Sequence, residues 1–177
     1  MAVLIDTSIL IAYERGQLDV AARVAGREAE EAFLSVISAS ELLHGVHRAT
    51  DPAVRAKRLA FVEATLARFP VLEIDLEVAR THAALWSDLA QRGEMLGVHD
   101  SWLAATCIAR DLTLITANTR EFNRVPGLAV ENWIAGQIGS APHFSQLRVT
   151  HPCVMTSEDI RWNAEHRTER DFSVVCP

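Results

Sequence analysis

Short runs of consecutive apolar residues alternate along the chain with longer stretches in which apolar residues recur every three or four positions. The runs read as buried strands and the stretches as amphipathic helices, because side chains repeat every two residues on a strand and every 3.6 on a helix. Val3–Ile5 is the first strand, and Ser8–Arg15, carrying Ile9, Leu10 and Tyr13, the first helix. Val20–Glu31 reads as a second, more polar helix rich in Ala, Arg and Glu. Phe33–Ile37 (FLSVI) is β-branched and apolar and predicts a strand, followed by a helix over Ser38–Ala49. Asp51-Pro52 marks a fresh helix start, with Pro at a first position where its missing amide costs nothing. Leu59, Val62, Leu66 and Phe69 keep helical spacing until Pro70, and Val71–Ile74 is a third strand. Val78, His82, Leu85, Trp86 and Leu89 form the next amphipathic face, and Gly93 and Gly97 bracket a loop. A helix over Asp100–Arg110, a strand at Leu112–Ile115, a helical turn near Asn118–Phe122 and a short strand around Leu128–Val130 complete the series.

Strands alternating with helices in this way predict an α/β fold, a central and mainly parallel sheet flanked by helices. Residues 136–177 break the rhythm: they hold three of the six Pro and two of the three Cys, with no sustained periodicity. Only Ser157–Arg170 there reads as a polar helix. The chain therefore divides into a domain over 1–135 and an irregular C-terminal extension over 136–177.

Composition narrows the function classes. The apolar share of 49 % is ample for a core, and no stretch reaches the ~18 apolar residues of a membrane span. The N-terminus lacks the basic and apolar regions of a secretory signal, so the reading is cytoplasmic, with no membrane partner. A net charge of −6 argues against a protein that coats nucleic acid. It leaves room for a nuclease whose acidic cleft works through metal ions. Cys107 falls inside an apolar helical pattern and reads as a small core residue. His151, Cys153, His166 and Cys176 in the extension match no zinc spacing.

The candidate chemistry lies in carboxylates at the ends of apolar elements. Asp6 closes the first strand in "AVLIDTSILIAYERG", Glu41 follows FLSVI, Asp100 opens the helix of "GVHDSWLAATCIARD", and Glu121 follows LTLI. Each has a structural explanation as well. Asp6 and Asp100 suit a helix N-cap or first turn, and Ser38-x-x-Glu41 and Asn118-x-x-Glu121 both have capping-box spacing. Jointly they say more, since ligands of an open parallel sheet bind beyond the carboxyl ends of its strands. Carboxylates converging there repel one another unless a cation neutralises them, and an oxygen-only ligand set favours Mg²⁺ or Mn²⁺. His99 is the imidazole nearest to these acids and reads as a solvated loop residue.

"LIDTSILIA", "SASELLHG", "HDSWLAATC" and "LITANTREFNRVPGL", with the closing "ENW", resemble in order and spacing the blocks of PIN-domain ribonucleases, and are most similar to VapC-type toxins of bacterial toxin–antitoxin pairs. The resemblance spans roughly residues 2–133 and implies a PIN-like three-layer fold. It implies a catalytic set of Asp6, Glu41, Asp100 and Glu121, with Asp6, Asp100 and Glu41 as metal ligands. Thr7 or Ser8, and Thr116, match the family's hydroxyl positions and Asn118 an accompanying amide. Some members carry Asp where this chain has Asn118, so the fourth acid departs from the pattern.

The resemblance further implies Mg²⁺-dependent hydrolysis of RNA phosphodiester bonds, with Mn²⁺ as substitute, a VapB-like antitoxin partner and a homodimer. Arg15, Arg48, Arg120 and Arg124 flank the acidic blocks as candidate phosphate contacts, each equally readable as solvated surface. Two other readings stand beside this one. One is a PIN-fold binding module without catalysis. The other is aspartyl-phosphate chemistry in a phosphatase or receiver, which would need an Asp where Ser8 stands or a strand-end Lys, whereas Lys57 is the only lysine.

Overall fold

The computed structural model describes residues 2–27 and 29–134. The extension, the polar helix expected over Ser157–Arg170 and the His/Cys set from His151 to Cys176 lie outside the described residues.

Among the described residues, five short strands form one sheet: β1 (Ala2–Ile5), β2 (Glu31–Ser35), β3 (Val71–Leu72), β4 (Thr113–Ile115) and β5 (Val130–Glu131). Their spatial order is β3-β2-β1-β4-β5, and every neighbouring pair is parallel. The helices that connect them are α1 (Thr7–Glu14), α2 (Val20–Val24), α3 (Val36–His47), α4 (Pro52–Arg68), α5 (Leu76–Arg92), α6 (Val98–Arg110) and α7 (Thr119–Phe122).

A parallel sheet must be covered on both faces, and alternation along the strands shows how this is met. Val3 and Ile5 of β1 and Ile115 of β4 face one core, shared with Ile9, Leu10, Leu42, Val46, Val62, Phe69 and Trp133. Leu4 and Leu114 face the opposite core, built with Val78, Leu85 and Leu89 of α5 and Leu103, Ala104 and Cys107 of α6. The three-layer architecture is thus the two-residue period of β1 and β4 made visible. Cys107 is indeed a core residue, 1 % exposed, and burial pushes its thiol far above the ordinary range.

Several element limits differ from the sequence reading. The second helix stops at Val24, not Glu31, because Gly26 turns the chain at φ 80°, a left-handed value that suits glycine. Glu31, an ordinary helix former, instead starts β2 opposite Ala2. Strand β2 ends at Ser35, two residues early, and the helix begins at Val36 rather than Ser38. Strand β3 keeps only Val71 and Leu72, and β5 is shifted to Val130–Glu131. Helix α6 begins at Val98, so Asp100 lies within its first turn instead of opening it.

The order of strands fixes where a ligand can sit. From β1 the chain steps outward through β2 to β3, then returns to the other side of β1 for β4 and β5. Connections leave β1 and β4 in opposite directions, and the crevice beyond their carboxyl ends is the topological switch point. Asp6 and Thr116 are the residues immediately after those two strands. Backbone bonds tie both to the sheet, Asp6 N–H to the Ile115 carbonyl at 2.9 Å and Thr116 N–H to the Glu131 carbonyl at 3.0 Å.

Candidate active site at the carboxyl ends of β1 and β4

Asp6 stands at the N-cap of α1 in extended conformation, yet its carboxylate caps nothing. The turn is closed by its carbonyl, which accepts from Ile9 N–H at 3.1 Å. The carboxylate, 7 % exposed, takes hydroxyl hydrogen bonds: Ser8 Oγ donates to Oδ2 at 2.6 Å and Thr116 Oγ1 donates to the same oxygen at 2.7 Å. Each hydroxyl is anchored by a main-chain amide. Ala117 N–H donates to Ser8 Oγ and Asn118 N–H to Thr116 Oγ1, both at 3.0 Å. With both donors on Oδ2, Oδ1 is left without a hydrogen-bond donor among the described residues. Burying a carboxylate without a cationic partner is expensive, so this group is oriented at the expense of stability.

Glu41 reaches the same region from α3, one turn and a half into that helix. Its expected reciprocal cap with Ser38 does not form. Ser35 is the N-cap, accepting from Ile37 N–H at 3.1 Å, because β2 ends there. Ser38 Oγ is buried without a hydrogen-bond partner among the described residues. Freed from capping, Glu41 accepts from Thr7 Oγ1 at Oε2, 2.7 Å, and meets His99 Nδ1 at Oε1, 2.6 Å. His99 is therefore not a merely solvated loop residue, although 59 % of its side chain is exposed. The separation of 58 positions between Glu41 and His99 explains why spacing gives no hint of the pair.

Asp100 completes the acidic face from the first turn of α6. It lines a shallow depression of about 370 Å³ with Gly97, Val98 and His99. Burial raises its carboxyl above the ordinary aspartate range, and the negative charges of Asp6, Glu41 and Glu121 push it further, against a smaller pull from His99. The other three acids therefore lie within electrostatic reach of Asp100. The turn is braced from behind by His82 of α5, whose ring stacks on Trp102 at 3.7 Å and 4°. His82 Nε2 lies 3.0 Å from Ser101 Oγ. Ser101 spends its single proton on the Val98 carbonyl at 2.7 Å, so Nε2 must be the donor. Burial lowers the His82 pKa, favouring the neutral ring. Its apolar spacing alone marked His82 as a core position, which hid this polar contact.

Glu121 is placed differently. It lies on the short helix α7 and is ion-paired with Arg124, which also donates to the Glu121 carbonyl. Asn118, the N-cap of α7, makes no side-chain cap and is exposed. Among the candidate phosphate contacts, Arg124 is thus occupied by Glu121. Arg15, Arg48 and Arg120 are exposed and meet no carboxylate among the described residues.

The donors fit a hard divalent cation by chemistry. Oδ1 of Asp6, the Asp100 carboxylate and Glu41 are oxygens, and no arginine or lysine among the described residues neutralises them. They are not gathered into a ready coordination cluster, since among the described residues no three His, Cys or carboxylate side chains stand together in that way.

The PIN domain family matches residues 3–128. Ribonuclease VapC1 of Rickettsia felis is 37 % identical over 130 residues, covering 73 % of this chain and 95 % of the relative. The tRNA(fMet)-specific endonuclease VapC of Salmonella typhimurium is 33 % identical over 100 residues, 56 % of this chain and 74 % of that one. Among solved structures, VapBC-5 of Mycobacterium tuberculosis, a toxin–antitoxin system, superposes with a TM-score of 0.59 at 33 % identity, covering 74 % of this chain and 96 % of that one. DNA-bound VapBC of Salmonella typhimurium gives 0.67 at 27 % identity, covering 75 % and 98 %.

Proposed function

We infer that this chain, which belongs to the PIN-domain family, is a ribonuclease toxin of the VapC type that hydrolyses RNA phosphodiester bonds with the help of a divalent cation. The observation that carries the reading is that Asp6 and Glu41, both within electrostatic reach of Asp100, and Asp100 itself have no arginine or lysine partner among the described residues. Asp6 and Asp100 would be the principal ligands of Mg²⁺, or of Mn²⁺ in its place, and Glu41 would complete the set. A bound cation supplies counter-charge for the scissile phosphate and a more acidic water as nucleophile.

The chain's own residues do the positioning. Ser8 and Thr116 fix the Asp6 carboxylate in one orientation through Oδ2. Thr7 and His99 hold the two oxygens of Glu41, and His82 steadies the turn that carries Asp100 through Ser101. Glu121 adds negative field at Asp100 while tethered by Arg124, which suits an outer position. Preorganised ligands of this kind are more effective than mobile ones, because no side-chain entropy remains to be lost.

The family also implies a VapB-like antitoxin, in line with the toxin–antitoxin structures that this fold matches, and a homodimer. No helix among the described residues is long and apolar enough to cross a membrane, in keeping with action in the cytoplasm. Hydrolysis by water needs no RNA 2′-hydroxyl, so the expected products carry 5′-phosphate and 3′-hydroxyl ends. Sequencing RNA 5′ ends after induced expression, with cleavage by purified protein in EDTA as control, tests this. Cleavage that survives EDTA, or leaves cyclic phosphates, overturns the cation-dependent reading.

A further inference from the structure

The cations of this chain are divided in an uneven way. Arg27, Arg92, Arg110 and Arg124 each meet at least one carboxylate. Arg48 at the end of α3 and Arg55 and Arg58 on α4 meet none among the described residues, although Arg55 and Arg58 both reach the end of α3 that carries Arg48. Arg55 donates from Nε and Nη2 to the Ala49 carbonyl at 3.0 and 2.8 Å, and Arg58 donates to the Gly45 carbonyl at 3.3 Å. These bonds cap the carboxyl end of α3. A carbonyl satisfies an N–H but leaves the charge in place, so the three guanidinium charges remain available. The nearby Asp51 spends an oxygen on capping Ala53 and Val54 amides.

The stripe points to the acidic site. Arg48 is seven residues from Glu41, two turns along the same helix face and about 10 Å away. His44 and Gly45 lie between them on that face. His44 is exposed, and a Cβ built at Gly45 would meet nothing within 4 Å. No packing demand therefore explains a glycine inside a helix, where it is unfavourable. What Gly45 does leave is open space beside its Cα, with Arg58 held on its carbonyl.

We propose that the α3 face from Glu41 past Gly45 to Arg48, together with Arg55 and Arg58, is the track on which the sugar–phosphate backbone of the RNA substrate lies. The proposal rests on the ribonuclease reading of the acidic site. An acidic cleft repels a polyanion, so the strand needs a cationic hold beside it. Guanidinium groups supply that hold without reading sequence.

The test measures binding of fluorescent oligo(U) RNA in EDTA over a salt series, for the wild type and for Arg48→Gln/Arg55→Gln/Arg58→Gln. Three lost contacts should flatten the slope of log K against log salt by about 2 and weaken binding roughly a hundredfold at 0.1 M salt. Arg48→Glu, at a side chain that makes no hydrogen bond or ion pair among the described residues, should weaken binding without touching the fold. Arg110→Gln, which removes a cation paired with Asp75, should leave the slope unchanged. With Mg²⁺ present, the triple variant should raise KM for cleavage while kcat holds. An unchanged salt slope in the triple variant overturns the track, as does loss of poly-glutamate binding with RNA binding intact, which would assign the stripe to an acidic protein. Failure of the wild type to cleave with Mg²⁺ would instead sink the ribonuclease reading, and is read separately from the slope.

Discussion

Two corners of the sheet hold carboxylates at strand ends, and the chain treats them in opposite ways. At β5, Glu131 accepts from Arg27 at 2.6 Å and from Trp133 Nε1 at 2.9 Å, and Arg27 also pairs with Glu30 and lies over the Trp133 ring. That corner is neutralised from within and reads as a structural clasp. At β1 and β4, Asp6 takes two hydroxyls and Glu41 a hydroxyl and an imidazole, and no arginine or lysine among the described residues pairs with either or with Asp100. The same residue type in the same topological setting is sealed in one place and left exposed to its own repulsion in the other. Among the described residues, an arginine neutralises the carboxylate at β5 and none does so at β1 and β4, which is the contrast that the proposed cation site draws on.

Substitutions should separate the corners. Asp6→Asn keeps an oxygen for the two hydroxyl donors, so the fold should hold while cleavage drops roughly a hundredfold or more. Growth arrest on induction should vanish with it. Wild-type toxicity in this variant would show that cleavage does not occur at this corner. Arg27→Ala should do the reverse: a stability loss of about 1 kcal/mol, kept small by partial exposure, equivalent to roughly 2–4 °C in Tm. Cleavage per folded molecule should stay unchanged, and a loss of activity beyond the unfolded fraction would join the two corners functionally.

The smallest effect concerns pH. Because burial and neighbouring carboxylates raise the Asp100 pKa, the folded chain holds that proton more tightly than the unfolded chain. In EDTA, stability should therefore fall as pH rises through the folded Asp100 value, and Asp100→Asn should remove that part of the slope. Thermal melts of both proteins between about pH 4 and 7 decide the matter. Parallel curves would mean that the repulsion is not felt.

Much of the fold was legible because β1 and β4 alternate between two cores and α5 carries a regular apolar face. The error over Val20–Glu31 has a local cause. Ala, Arg and Glu favour a helix intrinsically, and the left-handed Gly26 and the pairing of Glu31 with Ala2 override them. Within the site, Asp6 was legible from its place after an apolar run, but not what its carboxylate does. Its spacing suggested a cap, whereas a hydroxyl 110 residues away claims it. The same holds for His99 with Glu41 and for Arg58 beside Gly45. Contacts between distant segments follow from topology, and local pattern carries no trace of them.

Asp6, Thr7 and Ser8 are consecutive, yet between them they bond Glu41, Thr116 and the Ala117 amide. This gives the protein a built-in schedule. During synthesis the first acid leaves the ribosome almost at once, but the hydroxyl and amide that orient it belong to a strand end made more than a hundred residues later. Until that strand docks beside β1, the nascent chain carries its acids without their arrangement. The orientation of Asp6 is thus complete only once the end of β4 has come to rest beside β1.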